Sequence, residues 1–319
     1  VSFLLQKNNI EKISGTAMLR DQNTVIVPDT DRVFTAENII IATGARQRSL
    51  PNMPIDGEII LTSREAIVDP VIPERVVIIG GGATGVEFAY IYSSYGADVT
   101  IIELLDRLIP SEDEEISLHL ERSLKKQGIR ILSGTEVSGI ETNNDGATVS
   151  IISNGDHSEI KCGKVLVAIG VQGNIEDIGL ESLGVSTKRG FIVVDEKMQT
   201  NVPGISAIGD VTGKLLLAHV ASAQGITAVE SICGLNPPNL NYSLMPRAIY
   251  SNPQVASFGL TESQAKEQGL SIKIGKFPLN ATGKALALGE TDGLIKLITG
   301  SEIGEILGAH LIGAEVTEM

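Results

Sequence analysis

The sequence predicts an α/β chain that ends in an α+β unit, on three observations. Val76-Val77-Ile78-Ile79 runs into Gly80-Gly81-Gly82-Ala83-Thr84-Gly85, then into an apolar run and a second buried segment, Asp98 to Glu103. A buried segment ending in glycine occurs twice, at residues 36–44 and 163–170, each time after a β-meander pattern. Beyond residue 241 the pattern changes to short strands around one helix. The apolar mass is Ile, Leu, Val and Ala, with aromatics at only 3%. Sheets buried on both faces need that composition.

The run from Val76 to Glu103 reads as strand, glycine turn, helix and strand. Gly80 permits the tight turn, Gly82 lets the backbone approach a diphosphate, and Gly85 lets the helix lie close on the strand. The helix directs free N–H groups and its positive end at the phosphates from Gly81, Ala83 and Thr84 onward. Glu103 closes the second strand about 20 residues on, where a carboxylate accepts from both ribose hydroxyls. A 2′-phosphate would be repelled there, so the expected ligand is NAD rather than NADP. The context of strand, helix and acid makes this more specific than a bare glycine motif.

The net charge of −14 excludes a basic nucleic-acid footprint. Two cysteines, Cys162 and Cys233, stand far apart and can form neither a disulfide framework nor a metal cluster. They read as free thiols of a reducing compartment, so a cytoplasmic location is expected, or the mitochondrial matrix in a eukaryote. The four histidines are scattered, and no metal site is expected. No apolar run is long enough to span a membrane, and no membrane partner is expected. The chain begins at Val1, so a start elsewhere is expected and targeting is not legible.

In order along the chain, Val1 to Lys7 is helix-like. β segments follow at Ile10 to Leu19, Thr24 to Val27 and Asn38 to Ala42, with a turn at Pro28-Asp29-Thr30-Asp31. Pro51, Pro54 and Gly57 mark a connecting loop. Residues 73–195 read as one nucleotide domain. In it, Ser111-Glu112-Asp113-Glu114 reads as a capping box with Ser111 at the N-cap, starting a helix to about Gln127 that Gly128 stops. Ile129 to Leu132 is a third strand. A meander follows: Glu136 to Thr142, Ala147 to Ser153 and a short return strand. Lys164 to Ile169 is buried and ends at Gly170. Residues 196–240 hold a strand at Gly204 to Ile208 and a helix at Ala218 to Ile232. Residues 241–319 hold strands at Ile272 to Phe277, Gly293 to Thr299 and Ile306 to Ile312, with a helix at Thr261 to Gln268.

These motifs, taken with Ile41-Ala42-Thr43-Gly44, Thr200 to Asp210, Leu217-Ala218-His219, Pro246 to Tyr250 and Leu307 to His310, resemble those of the pyridine nucleotide-disulfide oxidoreductases. The dihydrolipoamide dehydrogenase branch is the nearest, and the resemblance covers essentially the whole chain. It implies two nested Rossmann-like dinucleotide-binding domains and an α+β dimerisation domain. Residues 1–72 and 196–240 would form an incomplete FAD domain, 73–195 a complete NAD domain and 241–319 the interface. No glycine loop precedes the first meander, so the chain is expected to be an internal fragment whose first copy lacks its head.

The resemblance places Glu87 at the nicotinamide–flavin contact, paired with a lysine outside these residues, and puts Val137 and Gly170 beside NAD. Thr43, Gly44 and Ala45 would line FAD, as would Gly15. Asp210 would hold the flavin ribityl chain; from the residues alone it is equally a helix N-cap. Leu216, Leu217, Ala218 and His219 would set a helix N-terminus under the flavin, with His219 either against the ring or in packing. The family's Cys-x-x-x-x-Cys pair and His-Glu pair are not in these residues, and Val171 follows Gly170 where an arginine is common. No catalytic residue is therefore expected in this chain, with Glu87 in support. The implied activity is reoxidation of dihydrolipoamide, carried on a 2-oxo-acid dehydrogenase complex, by a homodimer that reduces NAD. Mercuric reductase, a soluble transhydrogenase and a non-catalytic NAD-binding scaffold are the alternatives.

Overall fold

The computed structural model describes residues 1–49 and 53–319. Pro51, read from the sequence as marking a loop, lies outside the described residues. The chain divides into two compact units, Val1–Arg46 with Gln172–Leu240 and Gln47–Val171 with Asn241–Met319.

In the second unit, β-branched runs build a five-stranded parallel sheet. Its order is Ile60–Leu61, Lys164–Val167, Arg75–Ile79, Asp98–Ile102 and Arg130–Leu132. Side chains alternate between its faces. Val76, Ile78 and Ile101 pack with Val86 and Ala89 of the Ala83–Ser94 helix and with Ile116, Leu120 and Leu124 of the Glu114–Lys126 helix. Val77, Ile79 and Val165 pack instead with Val137, Val149 and Ile151 of an antiparallel meander, Thr135–Asn143, Gly146–Ser153 and Asp156–Cys162. The central strands are therefore buried on both faces, as their unbroken apolar runs require.

A second sheet of five strands is wholly antiparallel. Its order is Arg247–Ile249, Gln254–Gly259, Ile306–Gly313, Leu294–Gly300 and Ile272–Pro278. Three of these strands and the Glu262–Glu267 helix, capped by Thr261, are the ones expected from the sequence.

One polar row crosses this sheet. Arg247, Ser257, His310, Lys296 and Lys276 are successive cross-strand partners and so project to one face. The acidic start of the Glu114–Lys126 helix meets that row. Glu112 takes Arg247 Nε at 3.4 Å and the Ser257 hydroxyl. Asp113 takes Lys296 Nζ at 2.8 Å, and Glu115 takes Lys276 Nζ at 2.7 Å.

This docking corrects the expected helix start. Ser111 is not the cap; Asp113 is, and its Oδ1 accepts the Glu115 amide at 3.1 Å. The Glu112 amide is already bonded back to Ile109 at 2.9 Å, and the Glu112 carboxylate is drawn to the sheet. The helix is therefore capped one residue beyond it, where an Asp can satisfy a free N–H.

In the first unit, Met18–Asp21, Thr24–Val27 and Arg32–Thr35 form an antiparallel sheet. Ile39–Ile41 pairs in parallel with Ile205–Ala207. The Ala218–Ile232 helix falls where the sequence places it. Two expectations fail here. Residues 10–17 are not strand, because Gly15 sits at φ +142° and the Thr16 amide bonds the Asp29 carboxylate at 3.0 Å instead of a ladder partner. The Arg32–Thr35 strand was not expected, since its burial does not alternate.

Candidate dinucleotide site

The glycine turn stands at the carboxyl ends of the parallel strands, where open α/β sheets take ligands. Gly80 has φ +108°, and a Cβ there would run into the Ala168 carbonyl oxygen. A Cβ on Gly85 would strike the Gly80 carbonyl, whereas one on Gly82 would meet nothing within 4 Å. Two glycines thus serve the fold, and the third leaves open space at the mouth of the turn. Gly82 is the N-cap of the Ala83–Ser94 helix, and among the described residues no side chain caps it. Its first-turn amides, those of Ala83, Thr84 and Gly85, have no partner within the helix.

Glu103 is only 9% exposed. Its Oε2 accepts the Gly81 amide at 2.6 Å and its Oε1 the Leu105 amide at 2.8 Å. The residue expected to meet a ribose therefore also holds the turn in shape. Each carboxylate oxygen keeps a second lone pair, so both tasks are compatible.

A cavity of about 730 Å³ opens here. It brings together Gly80, Gly82, Glu103, Val137 and Gly170 of the expected residues. It also takes in Arg48, Met53, Leu105 and Thr135, which the sequence did not single out. Arg48 and Met53 lie more than twenty residues before the glycine loop, and no motif marks them. Its size and mixed lining suit a dinucleotide.

Gly81, Ala83, Thr84, Gly85 and Glu87 lie outside that lining. The Glu87 carboxylate accepts the Tyr250 amide at 2.9 Å, tying its helix to the end of the Arg247–Ile249 strand. Gly170, at φ +96°, gives its carbonyl to the Arg48 amide at 3.0 Å.

In the first unit the parallel pair sets Thr43 and Gly44 after one strand and Gly209-Asp210 after its neighbour, at the same edge. Asp210 is the second residue of the 3-10 turn Gly209–Thr212 and does not cap the long helix. Burial raises its carboxyl pKa above the ordinary carboxylate value, and among the described residues no hydrogen bond or ion pair reaches it. An acceptor left in that state suits a sugar-alcohol hydroxyl.

The Ala218–Ile232 helix has Leu217 as N-cap and no side-chain cap, with Leu216, Ala218 and His219 exposed at its mouth. Gly15 stands apart from these groups, against Val27 and Asp29. Ala45 is half-buried and follows directly on the Thr43-Gly44 turn.

Asn174 is a further residue the sequence did not show. Its side chain donates to the Thr43 carbonyl at 2.9 Å, its amide donates to the Gly44 carbonyl at 3.0 Å, and its carbonyl accepts the Thr43 hydroxyl at 2.7 Å. Arg46 and Glu176 close the same turn with two bonds of 2.8 Å, which bring the Glu176 carboxyl down to about 2.

Residues 1–225 match the family described as pyridine nucleotide-disulphide oxidoreductase, and residues 245–319 match its dimerisation domain. Dihydrolipoyl dehydrogenases of Zymomonas mobilis subsp. mobilis and Mycobacterium leprae are each 44% identical to the chain, over all of it and 70% of their own length. Crystal structure of LpdA from Mycobacterium tuberculosis superposes with a TM-score of 0.90 at 26% identity, covering 99% of this chain and 71% of that one. The HOCl-induced flavoprotein disulfide reductase RclA of Escherichia coli gives 0.89 at 27% identity, covering 100% and 74%. With the glycine turn, its closing acid and the antiparallel C-terminal sheet in place, the chain belongs to the pyridine nucleotide-disulphide oxidoreductase family.

Proposed function

We propose that this chain provides the NAD-binding machinery and part of the FAD-binding machinery of a dihydrolipoyl dehydrogenase. That enzyme would reoxidise dihydrolipoamide on a carrier domain of a 2-oxo-acid dehydrogenase complex. The observation that supports it most is the joining of Gly80, Gly82 and Glu103 in one cavity of about 730 Å³. FAD, when bound, supplies two-electron transfer between a dithiol and the nicotinamide.

The chain's own residues bind and orient. Amides at the Gly82 turn hold the diphosphate, and Glu103 takes the adenosine ribose while it clamps Gly81. Val137 and Met53 supply apolar lining to the same cavity. Asp210 receives the ribityl hydroxyls, and the helix that opens at Ala218 directs positive charge at the reduced flavin.

We assign NAD to residues 73–195, FAD to 1–72 and 196–240, and self-association as a homodimer to 241–319. Measured by compactness alone, the unit carrying the glycine turn begins earlier, at Gln47, and its first segment ends at Val171. Among the described residues no helix is long and apolar enough to cross a membrane. We place the protein in the cytoplasm, or in the mitochondrial matrix of a eukaryote.

Calorimetric titration tests the central assignment. NAD should saturate one site per chain, and NADP should bind at least about tenfold more weakly, a difference of roughly 1.4 kcal/mol. A flat NAD titration, or equal affinity for the two, overturns the proposal.

A further inference from the structure

The dinucleotide cavity carries both signs of charge. Among the described residues three charged side chains line it: Arg48, Glu103 and Glu136. The two acids sit together, since the Thr135 amide bonds the Glu103 carbonyl at 3.0 Å and Glu136 follows directly. The cation lines the same cavity, and its backbone amide bonds the Gly170 carbonyl at 3.0 Å. Gly170 lies two residues beyond Ala168, whose carbonyl oxygen is the group that leaves Gly80 no room for a Cβ. Arg48 is thus held beside the glycine turn by its backbone. Its side chain is exposed and forms no ion pair among the described residues.

We propose that Arg48 is the cationic clamp on the diphosphate of the bound dinucleotide. This rests on the reading of the cavity as an NAD site. A diphosphate carries two negative charges, and the helix N-terminus supplies only partial positive charge. The Arg48 guanidinium adds a full charge and a planar fork that matches two phosphate oxygens. Glu103, held against the Gly81 amide, favours the hydroxyl-rich ribose over a phosphate at its own carboxylate.

The test is a set of titrations of the wild-type chain and of Arg48→Ala and Arg48→Lys with NAD, ADP-ribose and adenosine. Arg48→Ala should weaken NAD and ADP-ribose alike by about 10- to 100-fold, the range for a lost charge-assisted bond, and leave adenosine unchanged. Arg48→Lys should recover part of that loss, and added salt should narrow the gap between wild type and Arg48→Ala. Equal NAD affinity in wild type and Arg48→Ala overturns the clamp while leaving the NAD site standing. So does an equal loss for adenosine, which has no phosphate. A wild-type chain that takes no NAD removes both. Arg48 is exposed, so an unchanged thermal midpoint is expected and confirms that the variants are folded.

Discussion

Lys296 Nζ lies 2.8 Å from Asp113 Oδ1, and both side chains are at most 3% exposed. Glu262 approaches the same ammonium at 2.7 Å and Glu115 at 3.3 Å. Burial alone would raise the Asp113 pKa, but the Lys296 bond and the Glu262 amide outweigh it and hold the carboxyl below its ordinary value. For Lys296, burial lowers the pKa and the bonds from Asp113 and Glu262 more than restore it. The pair is the buried centre of the row that joins the Glu114–Lys126 helix to the antiparallel sheet.

Replacing Lys296 by Met should therefore destabilise this unit by about 3–5 kcal/mol, the usual result of orphaning one member of a buried pair. Asp113→Asn in that background should recover part of the loss. A denaturation cycle over the four proteins measures the coupling, and purely additive effects would show that the two residues act independently.

The same cluster sets an acid limit. Lys266 first, then Lys296, bring the Glu262 carboxyl from 4.5 down to about 2. A carboxyl lowered by folding adds stability that is fully present above its unfolded pKa and fades as pH falls through the folded one. The thermal midpoint should fall between pH 4.5 and about 2, and less steeply in Lys296→Met. Parallel pH profiles for the two proteins would contradict this.

Glycine by glycine, the turn should separate stability from binding. Gly85→Ala drives a methyl into the Gly80 carbonyl and should destabilise by about 1–3 kcal/mol. Gly82→Ala points a methyl into open space, so stability should shift by no more than about 0.5 kcal/mol. NAD affinity should nevertheless drop by about tenfold or more, as the methyl fills the space meant for a phosphate. Chemical denaturation and NAD titration on both variants read the contrast.

Glu103→Ala should harm both properties at once. It removes the acceptor of the Gly81 and Leu105 amides, and each buried N–H left unpaired costs about 1–3 kcal/mol. Glu103→Gln keeps an acceptor oxygen and should lie between. If Glu103→Ala loses NAD without losing stability, the clamp on Gly81 has no energetic weight.

Asp210 predicts the reverse pattern. Burial raises its pKa, so ionising it opposes folding, and that penalty is present once pH exceeds its folded pKa. Asp210→Asn should leave the chain equally or more stable at pH 7 while weakening FAD retention, read as bound flavin absorbance after desalting. Unchanged flavin retention would remove Asp210 from that site.

The strand–turn–helix–strand from Val76 to Glu103 was legible because its determinants are local. An unbroken apolar run, three glycines and an acid about twenty residues on stand at fixed spacing within one short stretch of chain. The Ala218–Ile232 helix and three of the five C-terminal strands were legible for the same reason. The strand expected at Ile10 to Leu19 failed over residues 10–17 because Gly15 turns the chain and the Thr16 amide bonds Asp29, a contact between residues thirteen apart. The helix start at Ser111 failed because Glu112 answers to Arg247 and Ser257, far along the chain.

What sequence alone determined here is the class of fold, the position of the glycine turn and the sign of its closing residue. Tertiary structure decided that Glu103 grips Gly81 as well as facing the cavity, that Arg48 joins the lining of that cavity, and that Asn174 fastens Thr43 and Gly44. It also decided that five residues from five strands line up against one helix N-terminus. Hydrogen bonds and ion pairs depend on distance in space, and partners more than a hundred residues apart leave no spacing in the sequence by which to find them.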